Sequence, residues 1–313
     1  MTLEQLRIFI AVAEREHLTQ AAAALALTPS AVSAALRALE ERYDTPLFDR
    51  VGRRIELNDA GRLFLTEARA TLGAARNAEL ALAELAGLQR GAVALHASQT
   101  IASYWLPPLL LAFHRQYPQI ELSLTIGNTS SVARAVLDGA ADLGLVEDGV
   151  DAPELLAATV AEDRMVAVVA PGHAWADGHA LDADALRAAG WVMREPGSGT
   201  RSAFEARMAA LGIAPAELRV ALTLPSNEAL RSAAMAGPYA TVVSELVVAP
   251  QLQAGLLRQA GLDLPPRLFS LLHHRQRQPG RAARALAQAL QGAQAADKAA
   301  SKPPERSSAS RSS

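Results

Sequence analysis

The sequence predicts an α+β multidomain chain: a helical N-terminal part, one long helix, and a larger α/β part. Three observations carry this expectation. Apolar residues repeat at helical spacing through residues 1–90, with one short break. After Gly91, short β-like runs alternate with amphipathic helices, the signature of an α/β region. The 313 residues, half of them apolar, exceed one ordinary domain and supply core for two or three.

Leu3, Leu6, Phe9, Ile10 and Ala13 fall on one face of a first helix. Thr19 is read as the N-cap of a short second helix at 20–25. Thr28-Pro29 starts a third, a hydroxyl cap followed by a proline where no N–H is needed. Its apolar stripe is Val32, Leu36, Leu39 and Tyr43, expected to pack on the first two helices. The helical pattern breaks at DTPLFDRVGRRIELND, where strand-like pieces around Leu47-Phe48 and 54–57 flank Val51-Gly52. Asn58 then caps a long helix to about Leu88, striped by Phe64, Ala68, Leu72, Ala75, Leu82 and Leu85. Beyond Gly91, strands are expected at 92–97, 120–126, 142–146, 165–170, 191–193, 220–223, 241–244 and 267–273. A last helix at 280–291 gives way to a Ser/Ala/Pro-rich tail, 292–313, expected to be disordered.

Composition excludes several classes. The chain has no cysteine, which removes disulfides, thiolate zinc sites and cysteine nucleophiles. It opens MTLEQLRIFI, without the basic start and long apolar run of a secretion signal. No stretch is long and uncharged enough to cross a bilayer, so a cytoplasmic protein with no membrane partner is expected. Net charge is −2, and residues 1–60 carry seven Arg against nine Asp and Glu. Bulk charge therefore gives no support for a nucleic-acid partner; only local clustering does.

That clustering exists. Three helices with a tight connection between the second and third, then a small hairpin, describe a winged helix-turn-helix. Ser30, Ser33 and Arg37 share the polar face of the third helix. Short hydroxyl side chains allow close approach to a major groove, where Arg37 reaches a base edge or a phosphate. Arg50, Arg53 and Arg54 gather around Gly52, the one basic patch in an acidic segment, and suit the minor groove or backbone of double-stranded DNA. A solvated helix face and a solvated charge run are the plainer alternatives; the two features together favour DNA.

The segments LEQLRIFIAVAEREHLTQAAAALALTPSAVSAALRALEERYDTPLFDR and RRIELNDAGRLFL closely resemble the head of the LysR-type transcriptional regulators, and the resemblance extends more weakly to about residue 291. It differs at TPSAVS, where many relatives carry Gln-Pro after the cap. The resemblance implies DNA contacts at Ser30, Ser33, Arg37 and the wing arginines. It implies that residues 59–90 form a dimerisation helix following a DNA-binding domain at 1–58. Paired heads would read an interrupted inverted repeat with half-sites about 34–36 Å apart or a multiple of that. A homodimer or homotetramer is the implied assembly.

Three segments of the larger part are candidates for a ligand cleft. Ser98-Gln99-Thr100, Asn128-Thr129-Ser130 and Glu195-Pro196-Gly197-Ser198-Gly199-Thr200-Arg201 each follow a strand and open a helix. Helix N-termini at the carboxyl ends of strands offer free N–H groups to a small carboxylate or oxyanion. Simple N-capping is the alternative for each. The resemblance implies a periplasmic-binding-protein-like effector domain at 91–291, with lobe one at 91–160 plus 268–291 and lobe two at 161–267. It carries effector contacts onto Ser98, Thr100, Thr129, Ser198 and Thr200, with Gln99 and Ser130 adjacent. Glu147 would repel an anion unless it pairs with Arg194 or Arg201; otherwise it suits a ligand amine. A small anion and a zwitterion both stay open. Pro238-Tyr239 replaces the family's usual Leu/Ile-Gly after Gly237, beside the cleft.

An enzyme is not expected. No G-x-S-x-G, H-E-x-x-H or Walker A pattern is present. His273-His274 falls in a strand, where neighbouring side chains point to opposite faces, a poor arrangement for a shared metal. No metal or cofactor is called for.

Overall fold

A computed structural model describes the backbone of residues 1–51, 54–85 and 91–300. The head comprises α1 (Leu3–Arg15), α2 (Leu18–Ala24), α3 (Pro29–Tyr43), β1 (Phe48–Val51) and β2 (Arg54–Leu57). Thr2 and Gln5 cap α1 reciprocally: each side chain accepts from the other's backbone N–H. Thr28 Oγ1 accepts from the Ala31 N–H at 3.2 Å, with Pro29 in the first turn, so α3 starts as its sequence implies. The start of α2 differs from expectation. It begins at Leu18 with His17 at the cap position and no side-chain cap bond, which leaves Thr19 inside the helix. Leu18 packs against the head core; tertiary packing outweighs the local preference of Thr19 for a cap.

Val32, Leu36 and Leu39 are buried in that core, but Tyr43 is 53 % exposed, which corrects the expected stripe. Tyr43 lines an apolar groove with Met1, Leu47 and Leu63 rather than packing on α1 and α2. The long helix is α4 (Asp59–Leu85), capped by Asn58 Oδ1, which accepts from the Gly61 N–H at 2.8 Å. Gly61 seats the helix on the hairpin. A Cβ there would lie 2.1 Å from the Leu47 carbonyl oxygen. Phe64, Ala68 and Leu72 complete the core of their own head, with Phe64 tilted against Phe9. Leu63 and Leu82 are instead 74 % and 69 % exposed. Of the expected stripe, Phe64, Ala68 and Leu72 thus face inward and Leu82 is bare, while Leu63, outside that stripe, is bare as well. The helix's expected end near Leu88 lies outside the described residues.

The larger part follows as β3 (Gly91–Ser98), a π-helical turn (Ile101–Trp105), α5 (Leu106–Gln116), β4 (Ile120–Gly127), α6 (Thr129–Leu137), β5 (Leu143–Glu147) and β6 (Leu155–Asp163). The chain continues through β7 (Met165–Val169), α7 (Ala183–Ala188), β8 (Gly190–Arg194), α8 (Gly199–Ala210), β9 (Arg219–Leu224), α9 (Asn227–Ala236), β10 (Thr241–Ser244), α10 (Glu245–Gln253) and β11 (Arg258–Gln259). It closes with β12 (Arg267–His274) and α11 (Arg281–Ala300).

Two sheets result. The first has the order β4-β3-β5-β12-β6, with β3 parallel to β4 and β5, and β12 antiparallel to β5 and β6. The second group pairs β10-β7-β11 and β8-β9, joined by a bridge between Trp191 and Ala240. Each has its own apolar core, around Leu95, Leu143 and Phe269 in one and Trp191, Phe204 and Met208 in the other. The chain passes between them twice, after Asp163 and before Arg267. The last helix does not stop near Gln291 but runs to Ala300, which corrects the expected bound of the tail at 292; residues 301–313 lie outside the described residues. The segment QGAQAADKAA is rich in alanine, the best helix former, and little in it opposes continuation.

Candidate functional site

On α3, Ser30, Ala31, Ala34 and Arg37 are exposed while Ser33 is half-buried. The Ser30 hydroxyl lies 3.0 Å from Thr28 Oγ1, which pins the first turn. Ala31 and Ala34 were not singled out in the sequence, although an alanine on an exposed face is what lets a backbone come close to another surface. The hairpin brings Arg50 opposite Ile55 and Val51 opposite Arg54. Arg53, and the side chains of Arg50 and Arg54, lie outside the described residues.

In the larger part the candidate residues gather where the two layers meet. Gln99 spans the seam: its Oε1 accepts from the Asn227 N–H at 2.8 Å and its Nε2 donates to Glu228 at 2.7 Å. Tyr104 donates to the same carboxylate at 2.8 Å. Burial first, then this bond to Glu228, pushes the Tyr104 phenol up to about 12. On the other flank Asn128 Nδ2 donates to Glu195 at 3.2 Å, and the Ser130 N–H donates to the Gly197 carbonyl at 3.2 Å. Gly197 has φ +87°, a conformation that favours glycine. Gly199 is needed for approach: a Cβ would lie 2.8 Å from Glu147 Cβ and 2.9 Å from Thr129 Oγ1.

Between these flanks lies a buried charged group the sequence did not reveal. Arg267, at the start of β12, donates through Nε to Asp163 Oδ2 at 2.7 Å. Its Nη1 donates to Thr200 at 3.1 Å and its Nη2 to Thr100 at 3.3 Å. Asp163 also accepts from Ser244 at 2.6 Å. Burial pushes the Asp163 carboxyl up, against the opposing pull of Arg267. Glu147 does not pair with Arg194 or Arg201. Arg194 is held by Glu195 and Asn227, and Arg201 by Glu205. Glu147 instead faces Arg267 at 3.7 Å and accepts from Thr129 at 3.2 Å. The register explains it: Glu147 sits opposite Phe269, two residues from Arg267 on the same face of β12.

N-capping does not account for the hydroxyls at two of the three helix starts. Thr100 and Ser198 form no side-chain cap bond. Asn128, not Thr129, caps α6. Ser98 is buried and its Oγ has no hydrogen-bond partner among the described residues. Tyr239 packs its ring over Gly190 and Gly237, so the Pro238-Tyr239 turn is filled by an aromatic side chain. His274 Nδ1 accepts from two backbone N–H groups, and no cluster among the described residues has the makings of a metal site.

A three-helix head with a β-hairpin, a linker helix and a two-layered α/β part define a one-component regulator: a DNA-reading module fused to a ligand-binding one. Residues 3–62 match the family model for the bacterial regulatory helix-turn-helix protein, lysR family, and residues 86–295 match the LysR substrate binding domain. The chain is 37 % identical over 279 residues to the HTH-type transcriptional regulator YeiE of Escherichia coli (strain K12), covering 88 % of this chain and 92 % of that one. Full-length CbnR complexed with its target DNA superimposes with a TM-score of 0.66 at 23 % identity, over 94 % of this chain and all of that one. The CcmR regulatory domain of Synechocystis PCC6803, solved with 2-PG, superimposes with a TM-score of 0.60 at 24 % identity, over 66 % of this chain and 98 % of that domain. The chain belongs to the LysR family of DNA-binding transcriptional regulators, a family that is not enzymatic.

Proposed function

We propose that this regulator binds a small anionic or zwitterionic effector at the seam between its two α/β layers, and that seam geometry sets how its paired heads sit on DNA. The single observation carrying this is the convergence of Ser98, Gln99, Thr100, Thr129, Ser130, Ser198 and Thr200, or their neighbours, on that seam from three separate strand ends. The complexes of CbnR with target DNA and of the CcmR regulatory domain with 2-PG supply precedents for each half.

A physical link between the halves supports the coupling. Helix α6 begins at the seam with Thr129 and ends beside Asp138, whose carboxylate accepts from Arg69 of the linker helix at 3.2 Å. Arg69 also donates to Glu14 of α1 at 2.9 Å. A shift of α6 therefore reaches the head through one side chain. To move a 1:99 equilibrium to 99:1 the effector must prefer one arrangement by about 5.5 kcal/mol.

Dimerisation fits the bare leucines of α4. Leu63, with Tyr43 and Met1, lines an apolar groove on the head side, and Leu82 is exposed farther along the helix. Burying such surface against a second copy returns roughly 25 cal/mol per Å². Two heads on a two-fold axis then read an interrupted inverted repeat through Ser30, Ser33, Arg37 and the wing arginines Arg50, Arg53 and Arg54; dimers pair into tetramers. No single helix among the described residues is long and apolar enough to cross a membrane, and a cytoplasmic location fits contact with chromosomal DNA.

The test is a mobility shift against DNA upstream of the chain's own gene, with and without candidate metabolites. Ser98→Ala and Thr100→Ala should each abolish the metabolite response while leaving DNA affinity unchanged. A normal response in both variants sinks the seam as the effector site.

A further inference from the structure

We propose that Arg267 is a positioning residue of the seam: its guanidinium turns the Thr100 and Thr200 hydroxyls into paired donors for one carboxylate or oxyanion group of the effector. This rests on the reading of the seam as the effector site. A hydroxyl carries one proton and two lone pairs, whereas a guanidinium has only protons to offer. Each threonine must therefore accept from Arg267, and its own proton points elsewhere. Thr100 Oγ1 accepts a second bond, from Asn227 Nδ2 at 3.0 Å. The orientation of that amide is set, because Asn227 Oδ1 accepts from Arg194 at 2.8 Å. Thr100 thus has only its proton left. No described residue accepts it, nor the proton of Thr200, and both side chains are buried. A buried donor without an acceptor is costly, and Ser98, two residues before Thr100, has a buried hydroxyl with no partner at all among the described residues; together they mark a place built for an acceptor.

The fork itself is held on every side. Asp163 anchors Nε, Ser244 anchors Asp163, and the Phe269 ring lies 5.9 Å from the guanidinium carbon. Thr100 comes from the first layer and Thr200 from the second, so one planar group measures the gap between them. Thr129 differs, since its proton goes to Glu147; it is not part of the donor pair.

Calorimetric titration of the full chain at constant ionic strength tests this, with sodium sulfate and sodium acetate as acceptor probes and methylammonium chloride as a donor-only control. Saturable binding of at least one anion and none of methylammonium is expected. Arg267→Lys keeps the charge but loses the planar fork, and should weaken anion binding at least tenfold. In a Thr200→Val background the further loss from Arg267→Lys should shrink to threefold or less, whereas a merely structural role would cost the same in both backgrounds. Should the lysine variant fail to fold, Thr200→Ser against Thr200→Val carries the question, with binding kept only by serine. Unchanged anion affinity in Arg267→Lys, equal losses in both backgrounds, loss of binding in Thr200→Ser, or no saturable anion binding by the wild type would each overturn the proposal. A mobility shift run in parallel separates this from failure of the regulator reading, which requires folded wild type to ignore its DNA.

Discussion

The α3 face and the inter-layer seam are both polar surfaces, yet they are built by opposite rules. On α3 the hydrogen bonds are local: Thr28 reaches Ala31 and Ser30, within three residues. At the seam, Arg267 bonds partners 67, 104 and 167 residues away. The α3 face is exposed and offers small side chains plus one arginine. The seam buries two carboxylates around one guanidinium, each 3 % exposed or less. A surface built from local bonds presents side chains for another molecule to read. A surface built from distant segments is sensitive to how those segments move.

The sharpest way to break this contrast is to truncate one arginine in each region. Arg267→Ala leaves Asp163 and Glu147 buried without their cation, and should lower unfolding stability by about 3–5 kcal/mol. Arg37→Ala, on an exposed face, should change stability by no more than about 0.5 kcal/mol. Denaturant titration of both variants decides; similar losses would erase the distinction. Thr28→Ala comes next. It removes the α3 cap bond and should cost about 1 kcal/mol, with Thr28→Ser close to neutral.

The smallest effect is expected from pH. Burial, then the charge of Arg69, holds the His96 imidazole below its usual 6.5. Burial also lowers His173 and His274. The folded state therefore binds fewer protons than the unfolded one, so this stabilisation is complete above about 6.5 and lost as pH falls below it. The melting temperature should drop on acidification from pH 7.5 to 5.5, and His96→Gln should flatten that drop. An unaltered slope in the variant would exclude His96 as a contributor.

The same contrast governs how much was legible in the sequence. The head reads well because its signals are short-range: the Thr28-Pro29 start, the Asn58 cap and the hairpin break all appear where expected. Errors there arise where packing overrides a local rule, as with Leu18 ahead of Thr19. Strand β6 escaped notice because LLAATVAED is mostly alanine and leucine, without the β-branched run that marks a strand. It is a strand because β12 pairs along its whole length. The three hydroxyl-bearing turns were visible as strand-to-helix junctions. Arg267 was not, since nothing near it in the chain distinguishes it from the other arginines. That Glu147 faces Arg267, rather than Arg194 or Arg201, is hidden for the same reason: only the β5–β12 register brings Arg267 within range.

The most direct measurement is a quantitative mobility shift of purified, folded protein on DNA from its own upstream region at moderate salt, comparing wild type with Arg37→Ala. Specific retention by the wild type, weakened by about 1–3 kcal/mol in the variant, is the result expected if the exposed α3 face lies against base edges. Equal affinity of the two proteins for that DNA would contradict it.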